Sequence, residues 1–217
     1  KSVEVHSAWG TFEWIVQDAF KSGYRVGIIG NSDGHKGRPG ASYPGAGWFG
    51  AVGGLTCFLM PELTRDALID CINSRHHYAT TGGPSGRIRM DLSMSFTGPA
   101  IQCLDDPLLT NDYASKPCTS AMMGDIVHLP SGDAHLHLKV DAASPVRCID
   151  IFNGQLRTFH MQFTTAAQAP ESGTPTAILT SLGFCAMASD GKPAEAAIAA
   201  PPSNSSRRLF FLMSHSL

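Results

Sequence analysis

The spacing of apolar positions changes character near residue 84. Ahead of that point, short β-branched runs alternate with segments of helical period. Val3 and Val5 alternate with Glu4 and His6, so this stretch reads as a strand with one apolar and one polar face. Phe12, Ile15, Val16, Ala19 and Phe20 then recur at helical spacing between Thr11 and Ser22, and Gly23 supplies the stop. The apolar run from Arg25 to Gly30 reads as a strand buried on both faces. Strand, helix and strand with tight joints make a βαβ unit, which predicts parallel pairing. Leu55 to Met60 reads as a further strand. Thr64 caps a helix running to about Arg75, with Leu63 and Leu68 placed for a hydrophobic staple, and His77 to Thr81 is the next strand.

Beyond Gly82-Gly-Pro84 the period becomes two. Arg87 to Phe96 alternates strictly, and so does Ala134 to Val140, which predicts Ala134, Leu136, Leu138 and Val140 buried and His135, His137 and Lys139 exposed. Arg147 to Asn153 is another strand, closed by the hairpin signal Asn153-Gly154. Together these predict an antiparallel β module resembling a small sandwich over residues 85–165, with a polar loop from Leu104 to Ser120. Residues 166–217 hold no Trp or Tyr and keep no period long enough to define an element. This tail is expected to be disordered or to be frame-shifted sequence.

Composition narrows the function classes. With 217 residues, 43% hydrophobic, the chain can bury a core, and 11 Phe and 3 Trp argue against general disorder. Lys plus Arg (16) nearly balance Asp plus Glu (18), so neither nucleic acid nor an anionic membrane surface is an expected partner. No apolar stretch is long enough to span a bilayer, and no signal peptide is visible. A start at Lys1 directly into a strand suggests a partial chain. The six cysteines form no C-x-x-C pair, which favours buried reduced thiols over a zinc ribbon or redox motif.

The candidate chemistry follows the buried strand, in Asn31-Ser-Asp-Gly-His-Lys-Gly37. In an extended backbone Asp33 and His35 point to the same side, and a carboxylate beside an imidazole suits a divalent ion such as Zn²⁺, Mn²⁺ or Fe²⁺. An Asx-turn with an exposed His35 explains the same residues without a metal. Glu4 and His6 share a face of the neighbouring strand, and an ionised carboxylate is not buried without a partner. They extend the candidate ligand set to Asp33, His35, Glu4 and His6, although His6 also fits a hydrogen-bonded core role. The long segment from Asn31 to Gly54 is rich in glycine and carries Tyr43, Trp48 and Phe49, which predicts an ordered loop packed over something. Lys36 and Arg38 are placed to face an anionic substrate, or are simply solvated. His76 and His77 follow a helix end, where the C-terminal dipole accounts for them, and the pair His135 and His137 is read as a strand's solvent face.

Several of these motifs together resemble a known family. Val3-Glu-Val5, an amphipathic helix, a Gly-Tyr-Arg-Val turn and Ser32-Asp-Gly-His35 look like the C-terminal part of the PHP (polymerase and histidinol phosphatase) superfamily. The stretches 6–13, 27–46, 77–82, 123–127 and 149–154 are closer still to a bacterial offshoot, the domain of unknown function 3604 family. The resemblance implies the C-terminal part of a PHP-like β/α (TIM-like) barrel over residues 1–84, giving an α/β plus β fold class with the sandwich-like module behind it. It also implies a metal-dependent phosphoesterase using metal-activated water on a small anionic substrate, with Asp33 and His35 in the last metal motif and Glu4 at an acidic position near the site. The family's N-terminal H-x-H and bridging Glu have no counterpart here, so the fragment alone is expected to be inactive. The alternative is a non-catalytic ligand- or partner-binding module.

Overall fold

The alternating Val3–His6 segment lies within strand β1 (Ser2–Ser7) in the computed structural model of the chain. The structure describes residues 1–37, 52–83, 87–107, 109–143, 146 and 148–152, and the backbone of 153, 156–162, 176–185 and 210–213. A two-residue strand β2 (Gly10–Thr11) folds back antiparallel on β1. Helix α1 (Glu13–Lys21) then carries the chain to β3 (Gly27–Gly30), which pairs with β1 in parallel, as a βαβ unit requires. α1 buries Val16 and stops where Gly23 takes φ 78°, a left-handed geometry that glycine adopts at no steric cost. β3 is less enclosed than its composition suggests: Gly27 and Gly30 are buried, Ile28 and Ile29 only half-buried.

Next come β4 (Gly54–Phe58), α2 (Arg65–Asn73) and β5 (His77–Thr81). Thr64 caps α2, its Oγ1 accepting from the Ala67 amide at 3.3 Å. The staple fails, because Leu63 is 91% exposed. This order also overturns the barrel expectation. In a β/α barrel every helix connects parallel neighbours. Here α2 joins β4 to β5, which pair antiparallel, β2 adds an antiparallel edge to β1, and among the described residues of this unit only β1 and β3 run parallel. The chain is mainly β, with two helices among the described residues, and is not the C-terminal part of a TIM-like barrel. Runs of four to six apolar residues suit a parallel or an antiparallel neighbour, so the pattern alone could not set the pairing direction.

The remaining strands build two facing sheets. β6 (Ile88–Cys103) lies at the centre of the first, with β7 (Ser115–Met122) along one side and, on the other, β9 (Asp133–Ala142) and, at the C-terminal end of β6, β8 (Ile126–His128). β12 (Thr176–Cys185) pairs antiparallel with β9. In the second sheet β10 (Cys148–Asn153) pairs antiparallel with β11 (Leu156–Gln162), Asn153 opposite Leu156, and parallel with β13 (Phe210–Met213). Leu136, Leu138 and Val140 of β9 pack with Ile149 and Ile151 of β10, and Met90, Leu92 and Met94 of β6 border that core. Three stretches read as irregular therefore carry strands: β7 lies partly in the expected polar loop, and β12 and β13 lie in the tail.

Polar contacts join the α/β unit to the sandwich. The Arg25 guanidinium and the Asp106 carboxylate meet at 2.7 Å, both nearly enclosed. The Tyr78 hydroxyl donates to the Ile88 carbonyl and accepts from the Met90 amide. Arg75 Nε donates to the Gly124 carbonyl at 3.0 Å. Gly124 sits at φ 94°, and a Cβ there would collide with the Arg75 carbonyl, so the close approach needs glycine. Among the described residues no helix is long and apolar enough to cross a membrane. Cys71, Cys103 and Cys148 are buried free thiols, and Cys57 and Cys118 are half-buried free thiols.

Candidate functional site

Parallel pairing of β1 with β3 continues past the end of β3 and holds the turn that follows. The Asn31 amide donates to the His6 carbonyl at 3.0 Å, the Ala8 amide to the Ser32 carbonyl at 3.2 Å, and the Gly54 amide to the Asn31 carbonyl at 2.8 Å. Asn31 and Ser32 are thus fixed between the end of β1 and the start of β4. The register shifts between Glu4 and His6, a local irregularity of the kind that re-aims side chains at strand ends.

Asp33 and His35 do converge beyond the C-terminal end of β3. Their side chains lie 3.8 Å apart, His35 Nδ1 to Asp33 Oδ1, and are 58% and 44% exposed. The convergence does not come from extended backbone, because Asp33 adopts φ 50°, the left-handed region that Asp tolerates better than most residues. The turn is closed by His35 itself, whose Nδ1 lies 2.8 Å from the Asp33 carbonyl oxygen. Trp9, part of the 6–13 stretch but not named among the candidate site residues, completes this corner. Its Nε1 donates to the same Asp33 carbonyl at 3.3 Å, and its ring sits 5.4 Å from the His35 ring at 58°.

Glu4 and His6 are engaged elsewhere. Glu4 Oε2 accepts from the Asn31 side-chain amide at 2.7 Å, so this carboxylate braces the start of the turn. His6 Nδ1 lies 2.6 Å from Thr11 Oγ1 across the β1–β2 pair. Burial lowers the His6 pKa, against the opposing pull of a hydrogen bond with Gly53 and the charge of Glu4. Lys36 is exposed on the turn, whereas Arg38, Tyr43, Trp48 and Phe49 lie outside the described residues. Two donors fall short of the four that a structural zinc takes or the three of a catalytic one. Among the described residues no group of three or more His, Cys, Asp or Glu side chains is placed to hold a metal. The fold brings Asp33 and His35 together, while Glu4 meets Asn31 and His6 meets Thr11.

The other histidines separate sharply. His137 is exposed, with Nε2 3.1 Å from Ser95 Oγ, and His135 is half-buried. His76 and His77 follow the end of α2 but have specific partners beyond it. His76 Nε2 meets Asp125 Oδ1 at 2.9 Å. His77 is 2% exposed, with its ring nitrogens 3.0 Å from Ser2 Oγ and 3.1 Å from the Ile28 carbonyl. No family model, curated protein or solved structure matches this chain.

Proposed function

We propose that the turn 31–37 forms one side of a divalent-metal site in a hydrolase whose substrates are small phosphoesters. The observation that carries this reading is the clamp on His35. With Nδ1 held by the Asp33 carbonyl, Nε2 is the ring nitrogen left to meet a metal, the way ligand histidines are commonly held by a backbone carbonyl. The Asp33 carboxylate is the second donor, and Zn²⁺, Mn²⁺ and Fe²⁺ all accept that pair. Glu4 acts through Asn31 to hold the turn, and His6 braces the adjacent strand ends through Thr11. Lys36, on the same turn, is the cation that would meet an anionic substrate, together with Arg38. The remaining donors would come from outside the described residues. Phosphoesters as the substrate class rest on the motif resemblance.

The test is equilibrium dialysis of the full chain against Zn²⁺, Mn²⁺ and Fe²⁺ separately, with bound metal counted by mass spectrometry. Hydrolysis of p-nitrophenyl phosphate and bis(p-nitrophenyl) phosphate is followed in parallel. His35→Ala is expected to cut bound metal by about tenfold or more, as losses around a small ligand set do. Lys36→Ala should keep the metal and weaken only turnover of the anionic substrate. Metal binding and hydrolysis that survive His35→Ala intact would remove the hydrolase reading and leave a ligand- or partner-binding module.

A further inference from the structure

Between the α/β unit and the sandwich, at the N-terminal end of β3 and away from the Asp33 turn, lies a partly open cavity of about 520 Å³. That volume falls in the range of small-molecule sites. Its walls are largely apolar: Phe20 from α1, Met90, Met94 and Phe96 from β6, Ala121 from β7, opposite Met94, and Leu136 from β9. Of these only Leu136 is fully buried; the methionines and Phe96 remain partly exposed within the fold. Methionine side chains are unbranched and polarizable, so such a wall adapts to flexible or aromatic ligands.

The charged groups at the cavity are already engaged. Arg25 is paired with Asp106 at 2.7 Å. Arg75 donates from Nε and Nη1 to the carbonyls of Gly124 and Asn73. Asp125 accepts from His76 and from the Met122 amide, and both ring nitrogens of His77 have partners. His128, at the exposed edge, is the remaining histidine on the wall. A charged ligand group would compete with these partners for the same side chains, and burying an unanswered charge is costly. Tyr113 lines the same space and can offer its hydroxyl to a neutral polar group.

We infer that this cavity is a binding site for a neutral, mainly apolar small molecule with an aromatic or acyl body. The inference is independent of the hydrolase reading. A matched pair of fluorescent probes tests it on the full chain at pH 8. N-phenyl-1-naphthylamine is neutral, and 8-anilinonaphthalene-1-sulfonate is nearly the same skeleton with a negative charge. The neutral probe should bind saturably at one site, about tenfold or more tighter than the sulfonate, because the wall is largely apolar and a sulfonate loses its hydration there. Ala121→Trp should block it by filling the space. Met123→Trp, at a partly exposed lining position on the same face as Ala121, should weaken it while the circular dichroism spectrum stays native. His35→Ala should leave probe binding unchanged. Non-saturable uptake, a sulfonate that binds as tightly as the neutral probe, or full binding by folded Met123→Trp would overturn the site.

Discussion

His77 shows how much one buried side chain can impose. Its ring fills the space left by Gly27, where a Cβ would collide with His77 itself. Burial lowers its pKa below the ordinary 6.5, opposed by its hydrogen bond with Ile28 and aided by nearby His76 and Arg75. A histidine whose folded pKa is depressed takes up its proton more readily in the unfolded chain. Its contribution to stability is therefore present above pH 6.5 and is lost as pH falls through the folded value. His6 is shifted in the same direction by burial and adds to the trend. Urea unfolding at a series of pH values should show stability falling below pH 6.5, and His77→Gln should flatten part of that slope. An unchanged slope in the variant would mean that His77 is not buried neutral. Asp125 acts at lower pH. Burial alone would raise its carboxyl, but the hydrogen bonds from His76 and Met122 outweigh that and hold it below the usual range, so its share is lost only in stronger acid.

Among the elements, β9 was the most legible. Ala134, Leu136, Leu138 and Val140 are all buried, while His137 and Lys139 are exposed and His135 is half-buried. Strict alternation over seven residues leaves one register in which the apolar set faces the core, because a slip by one residue would turn every side chain over. Leu138→Ala is expected to cost about 2–5 kcal/mol, since Leu138 packs in the core with Ile149 and Ile151. Lys139→Ala, one position along on the solvent face, should stay within about 0.5 kcal/mol. Chemical denaturation of both variants measures the contrast, and similar losses would mean the register is wrong. β7 and β8 were less legible, because Ser115–Met122 has no apolar alternation and its strand exists by pairing with β6.

At the level of the whole molecule, a small α/β unit is joined to the sandwich partly by buried polar groups. Arg25 and Asp106 are 8% and 6% exposed and lie 81 residues apart in sequence. Such a pair adds little net stability over apolar residues of the same shape, but removing one partner strands a charge, at about 3–5 kcal/mol. Asp106→Ala should therefore destabilise strongly, and the double variant Arg25→Met with Asp106→Leu should recover much of the loss. A double-mutant cycle by thermal or urea unfolding reads this directly. Additive losses would show that the two side chains do not act as a pair.

The sequence by itself determined which segments alternate at period two, where α1 and α2 begin and end, and that Asp33 and His35 sit together past a strand. Those features depend on local periodicity, glycine conformation and short chain separation. The direction in which β4 meets β5, the union of the α/β unit with the sandwich, and the burial of His77 came only from tertiary structure. A βαβ joint constrains β1 and β3 through a right-handed crossover, and that pairing was legible. No comparable rule binds β4 to β5, so the expected barrel gave way to an antiparallel pair. The same holds for Glu4, whose carboxylate turned to Asn31 rather than to Asp33: strand alternation selects a face, but the neighbours on that face are chosen by the packed fold.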